Sequence, residues 1–229
     1  RTILSHVISR ARLIRGCHRL VVATDDDRIL EEARRCGAEC VMTASHHRSG
    51  SDRMGEALDL LGAEPDFVLN IQGDEPLLDP PAIEGLIADL RTAPDAIWTL
   101  AVPIESPAER DRASVVKVAR ARDGRALYFS RAPVPFVRDE SPAGAPYGLR
   151  HIGVYGYPLA LLRSFLQTAP SPLEVTEGLE QLRALESGMT IRVRLGGWPQ
   201  TAVDTPEDLA ALQRAYPTPA SLPGPGAAD

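Results

Sequence analysis

Short runs of β-branched and apolar residues alternate with helix-length amphipathic stretches over the first hundred residues. This alternation constrains the fold more than any other feature of the chain. Residues 2–14 place Ile3, Leu4, Val7, Ile8 and Ala11 at helical spacing. Residues 19–24 read as a strand, residues 28–36 as a helix closed by Gly37, and residues 39–42 as a second strand. A helix over 51–61, a strand over 66–71, a helix over 82–91 and a strand over 97–104 follow. Strands separated by helices of this length predict an α/β fold with a mostly parallel sheet covered by helices on both faces.

The pattern changes after residue 104. Residues 115–121 and 125–129 flank Arg122-Asp123-Gly124, a hairpin signal because Asp-Gly supplies the turn conformation. Residues 132–148 are rich in Pro and Gly and read as a long excursion. Residues 151–157 alternate like a strand, and 159–168 read as a helix. Ser171 and Glu174 form a capping box that opens a helix predicted to reach residue 186. A strand over 191–195 and a helix over 206–215 complete the pattern, and the Pro-, Gly- and Ala-rich residues 216–229 read as a disordered tail. With 229 residues and 44% hydrophobic content, the chain can bury a substantial core, and one domain over 1–215 is expected.

A net charge of −6 argues against a general nucleic-acid binder. No apolar run is long enough to span a membrane and no secretory leader is visible, so a soluble cytoplasmic protein is expected. Cys17, Cys36 and Cys40 are an odd set without a Cys-x-x-Cys pair, which fits reduced thiols. The adjacent His46 and His47 lack partners at ligand spacing and read as a solvated loop rather than a zinc site. The phosphate loop G-x-x-x-x-G-K-[ST], the dinucleotide fingerprint G-x-G-x-x-G and the nucleophile elbow G-x-S-x-G do not occur, which weakens ATPase, dehydrogenase and serine hydrolase readings.

The chemistry gathers around Asn70-Ile71-Gln72-Gly73-Asp74-Glu75-Pro76. This segment follows the apolar run Phe67-Val68-Leu69 and precedes a helix start with Asp79 as N-cap and Pro80 in the first turn. A carboxylate just beyond the carboxyl end of a strand points into the crevice where open α/β sheets take ligands. Mg²⁺ is commonly held by one or two carboxylates together with substrate phosphates, so Asp74 stands where such chemistry would need it. Asp204 precedes Thr205-Pro206, a helix start that already has its own cap, and it is free to be a second ligand. In Ser49-Gly50-Ser51-Asp52-Arg53, small residues allow close approach of a ligand ring and Arg53 could reach a phosphate or base carbonyl. On spacing alone the plainer reading of that loop is stronger, with Ser51 as the N-cap of the next helix. Thr24-Asp25-Asp26 ends a strand, where Asp25 either lines the crevice or caps the following helix. Arg131, Arg150 and His151 give the second half a basic side suited to an acidic sugar, although arginine is more often in a surface ion pair and a strand histidine more often in the core. Glu180 and Gln181 sit mid-helix, where a solvated face is the default.

Taken in order, V-V-A-T-D-D, S-G-S-D-R, N-I-Q-G-D-E-P, T-L-A-V-P-I, V-V-K-V, A-L-Y-F-S-R-A-P-V-P, R-H-I-G-V-Y-G-Y, P-S-P-L-E, L-E-Q-L-R and V-D-T-P-E-D-L resemble the 3-deoxy-manno-octulosonate cytidylyltransferase (CMP-Kdo synthetase) family over roughly residues 1–212. The resemblance implies transfer of CMP from CTP to the sugar acid Kdo with release of pyrophosphate, for lipopolysaccharide biosynthesis. It implies a nucleotide-diphospho-sugar transferase-like fold with a β-rich dimerisation insertion, here about 130–157, and a homodimer. By that likeness Asp74 and Asp204 would hold Mg²⁺. Ala23, Thr24, Ser49, Gly50 and Arg53 would lie near the nucleotide, and Gln72, Arg131, His151, Tyr155, Glu180 and Gln181 would face the sugar.

The family begins with a strand and a loop of the type P-A-R-x-x-S-x-R-x-x-x-K that grips the triphosphate. Here the first residue is Arg1 and the chain opens directly on a helical pattern, so a sequence whose beginning is missing is expected. Two other readings stand beside the main one. One is a cytidylyltransferase for a related sugar acid, such as 8-amino-Kdo or sialic acid. The other is an inactive, truncated binding or dimerisation protein.

Overall fold

The computed structural model describes residues 2–47, 49–138, 147–196, 203 and 206–216. In chain order the first elements are α1 (Ile3–Ala11), β1 (Val21–Thr24), α2 (Asp27–Arg35), β2 (Glu39–Met42), α3 (Gly50–Leu61), β3 (Phe67–Asn70) and α4 (Pro80–Thr92). Next come β4 (Ile97–Pro103), α5 (Pro107–Arg110), β5 (Lys117–Arg120), β6 (Ala126–Ser130) and β7 (Leu149–Pro158). The chain closes with α6 (Leu159–Leu166), α7 (Pro172–Glu177), α8 (Gln181–Glu186), β8 (Ile191–Leu195) and α9 (Pro206–Ala215). It divides into two compact units: Arg1–Glu64 with Asn70–Ala88 and Gly197–Asp229, and Pro65–Leu69 with Asp89–Gly196.

The first unit is built from a parallel pair. β1 and β2 run side by side from Val21↔Glu39 to Thr24↔Met42, joined through α2, as a strand–helix–strand connection requires. Several helices start on a side chain that accepts an orphan backbone N–H. Thr2 accepts from the Ser5 amide, Asp26 from Arg28 at 2.8 Å, and Asp79 from Ala82 at 3.2 Å. Ser49, not Ser51, caps α3, accepting from the Asp52 amide at 3.1 Å. Ser51 is fully buried inside that helix, so its hydroxyl lies too late in the chain for the cap. Val7, Ile8, Leu30, Ala33, Met54 and Ala57 are among the buried apolar residues of α1, α2 and α3.

The second unit carries a sheet in the order β6-β5-β7-β4-β8, with β3 also paired to β7. The α/β class is as expected, and the sheet is mixed. β4 and β8 are parallel, whereas β4–β7, β5–β6 and β5–β7 are antiparallel. The hairpin supplies one reason: β5 and β6 are joined by a turn at Gly124, whose φ is +93°, with no crossover helix to restore a parallel direction. Ile97, Leu100, Phe129, Ile152, Leu162, Phe165 and Val193 lie in the core of this unit, none more than 1% exposed.

β7 is irregular where it meets β4. Thr99 faces Tyr155, but Leu100 faces Ile152, so Gly153 and Val154 are extra residues without partners on β4. The buried Thr99 hydroxyl fills the gap, 2.8 Å from the Val154 carbonyl and 3.2 Å from that of Ile152. It serves backbone acceptors that the irregularity removes from the ladder.

The helix predicted from the capping box to residue 186 is two helices. The box forms as expected, with the Glu174 amide on Ser171 Oγ and the Ser171 amide on Glu174 Oε2. The helix then stops at Gly178, which adopts φ +62°, and α8 starts afresh at Gln181. The short helix α5, capped by Ser106, has too few residues to show a period in the sequence. Asp204, residues 139–146 of the expected insertion and residues 217–229 of the expected tail lie outside the described residues.

Candidate active site

Two clusters contain the residues singled out from the sequence, one in each unit. In the first unit the loop after β3 runs from Asn70 to Asp79 beside the start of α3. A Cβ on Gly50 would stand 3.2 Å from Asn70 Nδ2 and 3.4 Å from Gln72 Nε2. The first turn of α3 and the two side-chain amides therefore approach as closely as a residue without a side chain allows. Asn70 Nδ2 is itself buried and has no hydrogen-bond partner among the described residues. Such a donor is costly unless a ligand or water completes it. Asp74, half-buried, lies farther along the same loop, and its carbonyl accepts from the Val203 amide at 3.1 Å. The residue immediately before Asp204 thus meets the loop that carries Asp74.

Arg53 braces this cluster. Its Nη1 donates to Thr43 Oγ1 at 2.6 Å, and its Nη2 lies 3.2 Å from Asp25 Oδ2. One guanidinium ties α3 to the ends of β1 and β2, and a carboxylate matches its charge. Asp25 is therefore the partner of Arg53, while Asp26 is the helix cap; the Arg28 guanidinium holds the Asp26 carboxyl down at about 2. Thr24 is buried, and its hydroxyl accepts from the Asp26 amide at 3.1 Å. Ala23 lies beside it, partly exposed. His47, expected in a solvated loop, has a side chain only 12% exposed and pairs with Glu56, whose Oε2 also accepts from the Ala44 amide at 2.8 Å. A carboxylate from within α3 draws the ring in, which the adjacent His46, exposed, does not share.

In the second unit, His151 and Tyr155 come together on β7, their ring centroids 5.3 Å apart, with Phe129 edge-on to His151 at 5.0 Å. His151 Nε2 is 3.0 Å from Thr99 Oγ1. The single Thr99 proton is directed at the strand carbonyls, so Nε2–H donates to Thr99 and Nδ1 remains an acceptor. Burial pushes the His151 pKa down to about 3, so the ring is neutral at physiological pH. It does not contribute to a basic side as the sequence suggested. Burial, with the nearby Tyr157 and Glu180, pushes the Tyr155 phenol well up, and its Oη has no partner in hydrogen-bonding geometry among the described residues.

Glu180 and Gln181 also depart from the expected solvated face. Gln181 is buried and Glu180 half-buried, because the break at Gly178 turns the start of α8 inward. Arg150 pairs with Glu109 at 2.9 Å. Arg131 is exposed, and its guanidinium meets the carbonyls of Glu177, Ala113 and Gly178 rather than a carboxylate. Among the three residues of the expected basic side, its charge is the one best disposed toward an acidic ligand.

The family pattern described as cytidylyltransferase matches residues 1–191. The chain belongs to this cytidylyltransferase family. A 3-deoxy-manno-octulosonate cytidylyltransferase from Nitratidesulfovibrio vulgaris (strain DP4) is 47% identical over 209 residues, 90% of this chain and 82% of that protein. The protein of the same name from Syntrophobacter fumaroxidans is 47% identical over 213 residues, 91% of this chain and 84% of its own. Among solved structures, CMP:2-keto-3-deoxy-manno-octonic acid synthetase complexed with CTP superposes with a TM-score of 0.84 at 36% identity, covering 93% of this chain and 86% of that one.

In this cytidylyltransferase, Asn70, Thr99, Lys117 and Glu177 also belong to the two clusters or hold their members in place. A polar residue closing an apolar strand, as Asn70 does, was a usable signal. So was a lone cation in Val115-Val116-Lys117-Val118, because a buried lysine needs several acceptors. Among the described residues no helix is long and apolar enough to cross a membrane, and the three cysteines are free thiols.

Proposed function

We propose that this cytidylyltransferase transfers CMP from CTP to the sugar acid Kdo and releases pyrophosphate, the activity named for its relatives. One observation of geometry carries the reading. The buried Asn70 Nδ2, without a hydrogen-bond partner among the described residues, stands against the bare backbone of Gly50 on the loop that presents Gln72 and Asp74. A ligand oxygen or ring nitrogen accepting from Asn70 would remove a cost of about 1–3 kcal/mol for an unpaired buried donor. A pyrimidine offers such acceptors.

The reaction is an in-line displacement. The anomeric oxygen of Kdo forms a bond to the α-phosphorus as the bond from that phosphorus to pyrophosphate breaks, and the hydroxyl proton passes to solvent. Asn70 orients the nucleotide, and Gln72 faces the sugar. Arg131 faces the sugar carboxylate, and neutral His151 offers Nδ1 as an acceptor to a sugar hydroxyl. Asp74 and Asp204 would hold Mg²⁺. The contact of Val203 with Asp74 and the oxygen character of the two side chains fit that ion. When bound, Mg²⁺ would offset charge on the triphosphate oxygens.

On the family likeness we also read the protein as a cytoplasmic homodimer, which light scattering would check for its assembly. The activity is tested by pyrophosphate release from CTP in the protein at the length its organism makes, with Kdo, 8-amino-Kdo or sialic acid as acceptor. Turnover greatest with Kdo is expected. Preference for another acid would reassign the substrate, and no turnover with any acid would overturn the reading.

A further inference from the structure

Arg131 is held through both its backbone and its guanidinium. Its amide donates to Glu177 Oε2 at 2.9 Å, and its Nε returns to the Glu177 carbonyl at 2.9 Å, closing a ring between two residues. Its Nη1 and Nη2 donate to Ala113 at 3.2 Å and Gly178 at 3.4 Å. Its own carbonyl accepts from Lys117 Nζ, a fully buried ammonium that also donates to the carbonyls of Val115 at 2.6 Å and Arg112 at 3.0 Å. The second oxygen of Glu177, Oε1, accepts from the Ser130 hydroxyl at 2.7 Å. Three of the five guanidinium N–H groups are thus engaged, leaving two on an exposed side chain.

We infer that Glu177 and Lys117 are positioning residues for the acidic substrate, fixing the Arg131 backbone and guanidinium so that its remaining N–H pair meets the sugar carboxylate without further ordering. This rests on the functional reading above. A freely rotating arginine would lose rotamer freedom on binding, whereas one already held by three carbonyls loses little. Burying a lysine against three carbonyls is a costly way to hold a turn and is hard to explain by packing alone.

The test is steady-state kinetics with CTP and Kdo on the unmodified protein, Glu177→Ala, Glu177→Gln, Arg131→Ala and the double variant Arg131→Ala/Glu177→Ala. Glu177→Ala should raise KM for Kdo about 10-fold and leave KM for CTP within about 2-fold. Glu177→Gln keeps an acceptor oxygen and should recover part of the loss. The double variant should match Arg131→Ala, because effects that pass through one residue do not add. An unchanged Kdo KM in Glu177→Ala, an equal rise in both KM values, or additive effects in the double variant would overturn the inference. If Glu177→Ala does not fold, Glu177→Gln with the Arg131→Ala cycle decides it. Absence of turnover in the unmodified protein is a separate result: it removes the functional reading itself.

Discussion

Asp74 lies on a loop whose neighbours are fixed by local rules. Asn70 ends a strand, Asp79 caps a helix, and the Asp74 carbonyl is bonded to Val203. The start of α4 is capped by Asp79. Replacing Asp74 with alanine should lower turnover by about 100-fold or more, the scale lost when one group that stabilises developing charge is removed. The far-ultraviolet circular dichroism should be unchanged. Rate measurements at saturating CTP check the first part and the spectrum the second; retained turnover would refute the role. At this scale the sequence was informative wherever the function of a residue is local. Asp79 and the Ser171–Glu174 box follow from spacing alone. It was less so where a partner is distant in the chain. Nothing near Asp25 announces Arg53, and nothing near His47 distinguishes it from His46, because the deciding carboxylate of Glu56 lies on the next helix.

Helix and strand limits were legible to within a few residues because caps and stops are short-range devices. The break between α7 and α8 was missed for a physical reason. A glycine inside a helical pattern is tolerated at a modest cost, so its presence does not reveal whether the chain stops there. Here the stop is reinforced by a buried pair, Arg183 with Glu174 at 2.7 Å, and by Arg183 stacked 4.7 Å over Phe165. Gly178 has φ +62°, and a Cβ there would meet nothing within 4 Å. Alanine at this position therefore carries only a backbone cost, roughly 1–2 kcal/mol. Gly148 has φ +127°, and a Cβ there would stand 3.2 Å from the Val134 carbonyl. Gly148→Ala should lower the melting temperature more than Gly178→Ala, for which a drop of about 2–8 °C is expected by calorimetry. Equal drops would mean that the carbonyl near Gly148 moves aside without cost.

Over the whole molecule the α/β class was readable, but the direction of each strand was not. Alternation of strands and helices predicts parallel neighbours, and it holds for β1–β2 and β4–β8. β7 inserts between β4 and β5 in the opposite direction, a choice made by long-range packing. The same strand sets a global response to acid. His151 titrates at about 3 when folded, and at about 6.5 when unfolded. Between these values the unfolded chain binds a proton that the folded chain does not, so stability falls as pH drops from about 6.5 toward 3 and is fully present above that window. Urea melts at about pH 7 and about pH 5 should show a loss of stability on the acid side, reduced in His151→Phe. An identical loss in both proteins would assign it to other groups.

Gly153 and Val154, which β4 leaves without partners, have one more consequence. Four residues along a regular strand span about 13 Å, yet the rings at 151 and 155 are neighbours. The kink shortens the chain locally and draws a phenol and an imidazole together. The approach of the two rings is consequently tied to strand length. Exchanging Gly153 or Val154 for another side chain should be tolerated better than removing both, which would iron the strand flat and move the two rings apart.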